Sequence, residues 1–444
     1  MTDINQRLRR RSSALVGDSD AYDYCMPRPF TYSGETFLNS RREFVKVLIA
    51  SLLLIPIVRF VIVIVCFILQ WLILELITIG RKPVYDKDGV IEPMTGWRRT
   101  VLDISCSFFS RIVLLCFGIW KIKTRGELDK SARIVVANHI TILDAFLLLS
   151  QFPSIAVAKK STEDVPIVGR ICKALQFIFV DRMSVEGRAD VLSEIGKRAH
   201  HGGFPPIMIF PEGTTSNSRT LLRFKKGAFS TGYPVQPVLI KFPWQHSDPC
   251  WTNHSPPLWI AITEMLCQPF QRAEIIFLPV RRPSKGELAN PERYAENVRK
   301  TMAQALNVPI VPYGAEDSIV DNWLLRRGEG VEIGVSIYEL KERFKVKLEQ
   351  IKRLVEDFDR IDFKGDRLID REEFDKFVVK LNPTIDAEFA NRVFLSFDAN
   401  GSSMIDYREF IIGCLTLNDE DDLSNTPVFS SEDALQRSCS AYEN

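Results

Sequence analysis

The sequence predicts an α/β domain behind a long apolar segment near the N-terminus, followed by an all-α C-terminal region. Three observations carry this. Residues 47–79 ("VLIASLLLIPIVRFVIVIVCFILQWLILELITI") contain one basic and one acidic side chain, Arg59 and Glu75. From 121 onward, short β-branched or aromatic runs ("RIVVAN", "SIAVAKK", "LQFIFVD", "IMIFPE", "VQPVLIKF", "AEIIFLPV") alternate with helical stretches, the texture of strands threaded between helices. From Tyr338 the text becomes charged and helical around two acidic loops, "DFKGDRLIDREEF" and "FDANGSSMIDYREF".

Residues 1–43, polar and Arg-rich ("RLRRRSSALVGDSDAYDY"), predict a flexible tail without a signal peptide. Residues 44–80 predict a membrane anchor. As one helix, 47–79 would reach about 50 Å against a hydrocarbon core of about 30 Å. Pro56 and Arg59 interrupt the run, and 60–79 alone is long enough to span. One spanning helix with an interfacial lead-in fits, and so does a re-entrant hairpin. Gln70 and Glu75 are costly in lipid and are expected to face protein or the interface. Basic residues flank both ends (Arg41, Arg42 and Lys46; Arg81, Lys82 and Lys87). The positive-inside rule therefore leans on the distant Arg7–Arg11 cluster for a cytosolic N-terminus, with the hairpin still open.

Residues 81–120 read as an amphipathic membrane-surface region, with a core helix as the alternative for 97–120. The α/β domain is expected over 121–315. In it, 290–305 is a closing helix with Asn290 as N-cap and Pro291 at the first position. Residues 316–345 read as a linker, 346–417 as paired helix–loop–helix units, and 418–444 as a flexible tail.

Lysine plus arginine (57) balances aspartate plus glutamate (56), so no global field recruits nucleic acid. The nine cysteines are odd in number and lack CxxC or zinc spacing, which points to reduced, buried thiols.

The chemistry concentrates at strand ends. His139 follows the run 134–137, and Asp144 lies in the first turn of the next helix, where Thr141 to Asp144 also matches a capping box. "IMIFPEGTTSN" leaves a strand through Pro211, Glu212, Gly213 and Thr214; "FIFVDR" ends in Asp181-Arg182; "RFKKGAF" supplies Lys225 and Lys226 beside a glycine. In open α/β sheets ligands bind beyond the carboxyl ends of strands. A histidine converging there with cations points to proton removal from a hydroxyl near a phosphate. Singly, each residue reads equally well as a surface ion pair or a turn acid.

"NHITILD", "FIFVDR", "FPEGTTSN" and "YPVQPVLI" resemble the four ordered blocks of the glycerolipid acyltransferases. "FKKGAF", the tryptophan-bearing stretch after "PVQPVLIKF" and the calcium-loop region are most similar to the lysophosphatidylcholine acyltransferases. The resemblance covers about residues 44–410. It implies an α/β acyltransferase domain behind an N-terminal membrane anchor, with a C-terminal all-α EF-hand pair. By it, His139 is the general base and Asp144 its orienting partner, while Arg182, Glu212, Gly213, Thr214, Lys225 and Lys226 hold the acceptor. It further implies acyl-CoA as co-substrate and membrane lipid and a lysophospholipid as partners. The expected location is the endoplasmic reticulum membrane, or else the Golgi or lipid-droplet surface. The expected reaction is reacylation of lysophosphatidylcholine. Lysophosphatidylethanolamine, lysophosphatidate or glycerol-3-phosphate as acceptor stays open, as does a non-catalytic, calcium-responsive membrane adaptor. One departure stands out: many members have glycine in the second block, where this chain has Leu175-Gln176.

The loop from Asp398 fits a twelve-residue Ca2+ loop. Its ligands would be Asp398, Asn400, Ser402, the Met404 carbonyl, Asp406 and bidentate Glu409, with Ser403 at the turn-glycine place. Its partner aligns Asp362, Asp366, Asp370 and Glu373 but puts Lys364 and Arg367 at the third and sixth places. It is therefore expected to be a structural mate without metal.

Overall fold

The computed structural model describes residues 28–80, 91–181, 185–201, 203–244, 247–327, 336–381 and 387–420. The chain divides into two compact units, Arg28–Val311 and one carried by Pro312–Asn444.

The first unit begins inside the segment expected to be a tail. Phe30 and Thr36 are buried, and helix α1 (Arg41–Leu52) follows. The chain then breaks at Leu54, which is left-handed (φ 57), before α2 (Ile55–Thr78). Pro56 lies in the first turn of α2, where its missing N–H has no helical partner to lose. It starts a helix instead of interrupting one. At 24 residues, about 36 Å, α2 is the one helix among the described residues long and apolar enough to cross a membrane.

It does not stand clear of the domain. Val63, Cys66, Gln70, Leu74 and Ile77, spaced three or four apart, are buried. Near one end, Arg59 donates to the carbonyls of Leu266 and Gln268, each at 2.7 Å. Near the other, Glu75 accepts from Arg170 at 2.7 Å and from the Trp71 indole at 2.8 Å. Gln70 is buried against protein, whereas Glu75 stays exposed and is paired with Arg170. The remaining surface, including Val58, Val61, Val65 and Leu72, is exposed.

Helix α3 (Gly96–Cys116) packs along α2 and buries Leu102, Cys106, Val113 and Leu114. Its other face leaves Trp97, Val101, Ile104 and Phe108 exposed. The surface stripe and the core helix anticipated for 97–120 are two faces of one element.

The sheet comprises β1 (Ile119–Arg125), β2 (Ile134–Ala137), β3 (Ile155–Lys159), β4 (Ile178–Val180), β5 (Ile207–Ile209), β6 (Val235–Lys241) and β7 (Gln271–Phe277). Between them run α4 (Asp144–Leu149), α5 (Val168–Ala174), α6 (Val185–His200) and α7 (Leu258–Cys267), with α8 (Lys285–Ala289) and α9 (Pro291–Leu306) closing the unit. The strand order is β1-β7-β6-β2-β5-β3-β4, parallel throughout except β6 against β7. β2 is central and wholly buried. Val135 and Ala137 face a core shared with α3 and α4, whereas Ile134 and Val136 face one shared with α9. A strand covered on both sides reads as a continuous apolar run because neither face meets water. At the start of α9 the Asn290 side-chain oxygen Oδ1 accepts the Arg293 N–H at 3.1 Å, with Pro291 in the first turn.

Two local differences from expectation have physical reasons. Strand β1 lies outside the expected strands; it is an edge strand whose Lys121, Lys123 and Arg125 alternate with Trp120, Ile122 and Thr124, and such charges resist edge-to-edge pairing. In the second block Gln176 is left-handed (φ 60), the conformation that favours glycine and costs other residues about 1–2 kcal/mol. Its amide offsets that by donating to the Glu92 carbonyl at 2.8 Å and accepting the Met94 N–H at 3.1 Å.

The second unit contains α10 (Ala315–Arg326), α11 (Ile337–Phe344), α12 (Leu348–Ile361), α13 (Arg371–Leu381), α14 (Ala387–Phe397) and α15 (Tyr407–Glu420). Much of the expected linker 316–345 is therefore helical. Val320, Leu324, Ile337 and Leu340 join the core formed by Phe358, Phe374, Phe397 and Phe410. The loops after α12 and α14 meet through an antiparallel bridge, Ile369 to Ile405, with both N–H···O bonds at 2.9 Å. Among the described residues seven cysteines are free and buried.

Candidate active site

The parallel register brings the carboxyl ends of β2, β4 and β5 to one edge of the sheet. His139 stands two residues beyond β2. Its Nδ1 lies 2.8 Å from Asp144 Oδ2, and the side chain is 25% exposed while the aspartate is fully buried. The same oxygen accepts the N–H groups of Ile140 (2.6 Å) and Thr141 (2.9 Å). The carboxylate thus folds the loop back on itself and orients the imidazole in one stroke. No side chain caps α4, so the capping-box reading holds only in the backbone bond to Thr141. Phe210 stacks on the imidazole at 4.2 Å and 17°. Asn138 fixes the loop to β6, donating to the Ile240 carbonyl at 3.0 Å and accepting its N–H at 2.8 Å.

Glu212 is fully buried. Its carboxyl accepts the His139 N–H at 2.9 Å, the Leu222 N–H at 3.2 Å and the Ser216 hydroxyl at 3.4 Å. Burial pushes its pKa up to about 8 despite those bonds. These bonds hold the histidine's backbone, a role the acceptor-ligand expectation did not include.

Gly213 (φ 71) is where the loop needs its glycine. A β-carbon there would fall 2.9 Å from Lys225 Cε. Lys225 therefore lies across Gly213, and its own N–H donates to the Pro211 carbonyl at 2.8 Å. Thr214 is half-buried next to it. Lys226 does not join this group: its ammonium pairs with Glu292 at 3.2 Å on an exposed surface. Arg182 lies outside the described residues. The strand leading to it, β4, is three strands from β2, about 14 Å across the ladder.

Two further contacts brace the histidine loop and were not anticipated. The Ser216 N–H donates to the His139 carbonyl, and the Trp251 N–H to the Ile140 carbonyl, each at 2.9 Å. The Thr215 hydroxyl donates in turn to the Trp251 carbonyl. No spacing rule ties Trp251 to Ile140. The quoted blocks were the only available signal, since all three partners lie in or beside them.

In the second unit, Ser403 is left-handed (φ 64), as its place in the loop requires. Asp398 accepts the N–H groups of Ser402 and Ser403 at 2.9 and 3.0 Å. Glu409 accepts those of Ala399, Asn400 and Asp406. Burial pushes Glu409 up to about 7, with the negative charges of Asp406 and Asp398 adding to the rise. The Ser402 N–H also donates to Asn400 Oδ1 at 2.7 Å, and its hydroxyl to the Met404 carbonyl at 3.0 Å. In the first loop, oxygens of Asp362, Asp366 and Glu373 lie within 4.8 Å of one another. However, the Lys364 ammonium pairs with Asp370, which places a fixed positive charge among the ligand positions.

A family model described as Acyltransferase matches residues 121–241. Lysophosphatidylcholine acyltransferase 2 of Danio rerio is 31% identical over 389 residues, covering 85% of this chain and 71% of that protein. Lysophosphatidylcholine acyltransferase of Drosophila melanogaster is 35% identical over 319 residues, covering 70% and 58%. Among solved structures, the 1-acyl-sn-glycerophosphate acyltransferase of Thermotoga maritima matches 57% of this chain and 95% of its own, with a TM-score of 0.40 and 20% identity.

Proposed function

The chain belongs to the lysophosphatidylcholine acyltransferase family, and on that premise we propose that it transfers an acyl group from acyl-CoA to the free hydroxyl of lysophosphatidylcholine. The carrying observation is the bond from His139 Nδ1 to buried Asp144. It commits Nδ1 to the carboxylate and leaves Nε2 as the basic nitrogen. Nε2 takes the acceptor's hydroxyl proton as that oxygen bonds to the thioester carbonyl carbon. Collapse of the tetrahedral adduct breaks the C–S bond, and the imidazolium returns its proton to the departing thiolate to give free CoA. Asp144 holds the ring and stabilises the imidazolium without taking the proton. Lys225, lying over Gly213, is read as a cation that meets the acceptor's phosphate. Arg182 keeps its expected role as a second clamp.

The assay is radiolabelled acyl-CoA with a panel of lysophospholipids and glycerol-3-phosphate. Transfer to lysophosphatidylcholine in preference to the others, abolished in His139→Ala, is the expected result. Transfer by His139→Ala at the wild-type rate refutes the mechanism, and preference for another acceptor refutes the headgroup.

Two features accompany the catalytic unit. The exposed apolar sides of α1, α2 and α3 are read as inserting into one leaflet, which favours the hairpin over a free-standing span because α2 is tied to the domain near both ends. The expected setting is the endoplasmic reticulum membrane. In the second unit, the helix–loop–helix pair bridged at Ile369 and Ile405 is read as an EF-hand pair. It would hold one Ca2+ through Asp398, Asn400, Ser402, Met404, Asp406 and Glu409.

A further inference from the structure

The ten residues ahead of the membrane helices are built into the catalytic unit. Asn217 is 1% exposed, and its amide spends every hydrogen-bonding group. Nδ2 donates to the Arg28 carbonyl at 2.6 Å and to the Thr31 carbonyl and hydroxyl at 3.2 Å each. Oδ1 accepts the Arg219 N–H at 3.2 Å, and the Asn217 N–H donates to the Pro29 carbonyl at 2.9 Å. Further along, Asp248 accepts a backbone bond from Ser33, and the Phe37 N–H donates to Glu264 at 2.7 Å. Residues 28–37 thus form a strap fastened at three places.

The first two fastenings lie beside the two loops that grip the histidine. Asn217 follows Ser216, whose N–H holds the His139 carbonyl. Asp248 precedes Trp251, whose N–H holds the Ile140 carbonyl. The strap is a brace across the two loops that fix the catalytic peptide from opposite partners.

We propose that Asn217 is a positioning residue for acyl transfer, pinning the strap 28–37 to the catalytic loop so that His139 stays aimed at the acceptor. This rests on the acyltransferase reading above. Asn217 touches no substrate; it acts through the strap and Ser216. An error of about 1 Å in aim costs on the order of a hundredfold in rate, so loosening the brace lowers kcat more than it lowers folding.

The test uses full-length enzyme with acyl-CoA and lysophosphatidylcholine, comparing wild type, Asn217→Ala, Thr31→Val and the double variant. Rates are expressed per folded molecule by quantifying protein that unfolds cooperatively. Expected are a kcat loss of about tenfold or more for Asn217→Ala with KM for acyl-CoA unchanged, and a loss of about threefold for Thr31→Val. The double variant should be no slower than Asn217→Ala, because both act through one brace. If Asn217→Ala does not fold, Thr31→Val decides alone: a reduced kcat at unchanged KM supports the brace, and a wild-type kcat overturns it. Wild-type kcat in Asn217→Ala, or losses that multiply in the double variant, likewise overturn it. Failure of the wild type to transfer at all would instead overturn the acyltransferase reading.

Discussion

Replacing Asp144 by asparagine separates orientation from charge. The amide oxygen can take over the N–H groups of Ile140 and Thr141 and the His139 Nδ1 contact, all of which converge on Oδ2. The NH2 end then falls where Oδ1 sits, a buried atom without a partner. Leaving that donor unpaired costs about 1–3 kcal/mol of stability. The catalytic loss is electrostatic. Opposite unit charges 2.8 Å apart attract by about 6 kcal/mol at an effective dielectric of about 20. If desolvation cancels half, about 3 kcal/mol of imidazolium stabilisation remains, or about a hundredfold in rate. Tautomer scrambling raises this further: the corresponding swap in serine proteases lowers kcat about 10⁴-fold. Asp144→Asn is therefore expected to lower kcat by between about 10² and 10⁴ while remaining folded. Asp144→Ala should also lose the loop's backbone bonds and fall further in melting temperature. The assay pairs initial rates from radiolabelled acyl-CoA with thermal unfolding of both variants. A kcat for Asp144→Asn above about a tenth of wild type would refute the charge argument.

Gly213→Ala forces a left-handed alanine, about 1–2 kcal/mol, and drives its β-carbon into Lys225; a rise in KM for the lysophospholipid with KM for acyl-CoA unchanged is the expected kinetic signature. Glu212 stays protonated in the fold up to about pH 8, whereas an unfolded glutamate ionises near its ordinary 4.5. The folded state holds the extra proton between those values, so this group's contribution to stability is whole below about 4.5 and is lost as pH rises towards 8. Melting temperature against pH should fall across that window in wild type and flatten in Glu212→Gln; parallel slopes would assign the pH dependence elsewhere. Calorimetric titration should give one Ca2+ per chain, abolished by Glu409→Gln. Trp323, packed against the helical core of the second unit, is the natural fluorescence reporter, and identical titrations of variant and wild type would remove the metal assignment.

What the sequence made legible was whatever is local. His139 and Asp144 lie five residues apart in a loop that the carboxylate itself folds, so residue type and spacing identify the pair. The buried strands were legible because two-sided burial leaves only apolar residues to read. Glu212 is hard to read for the opposite reason. An acid in a glycine-containing turn after a strand looks the same whether it meets a ligand or a backbone N–H, and its partner His139 is 73 residues away. Lys226 and Lys225 are neighbours in a basic run, but only the fold decides which crosses Gly213 and which turns to Glu292. The strap is the extreme case. Its residues have no periodicity, and what they offer Asn217, 189 residues away, is mostly backbone carbonyl, which every residue carries. A segment that works through its main chain leaves no compositional trace, so a polar stretch ahead of an apolar helix reads as tail. The discriminating feature is on the other side of the contact. A small amide buried at the end of a glycine-containing loop must find several acceptors, and the place to look for them is a stretch of chain with no ladder of its own to satisfy.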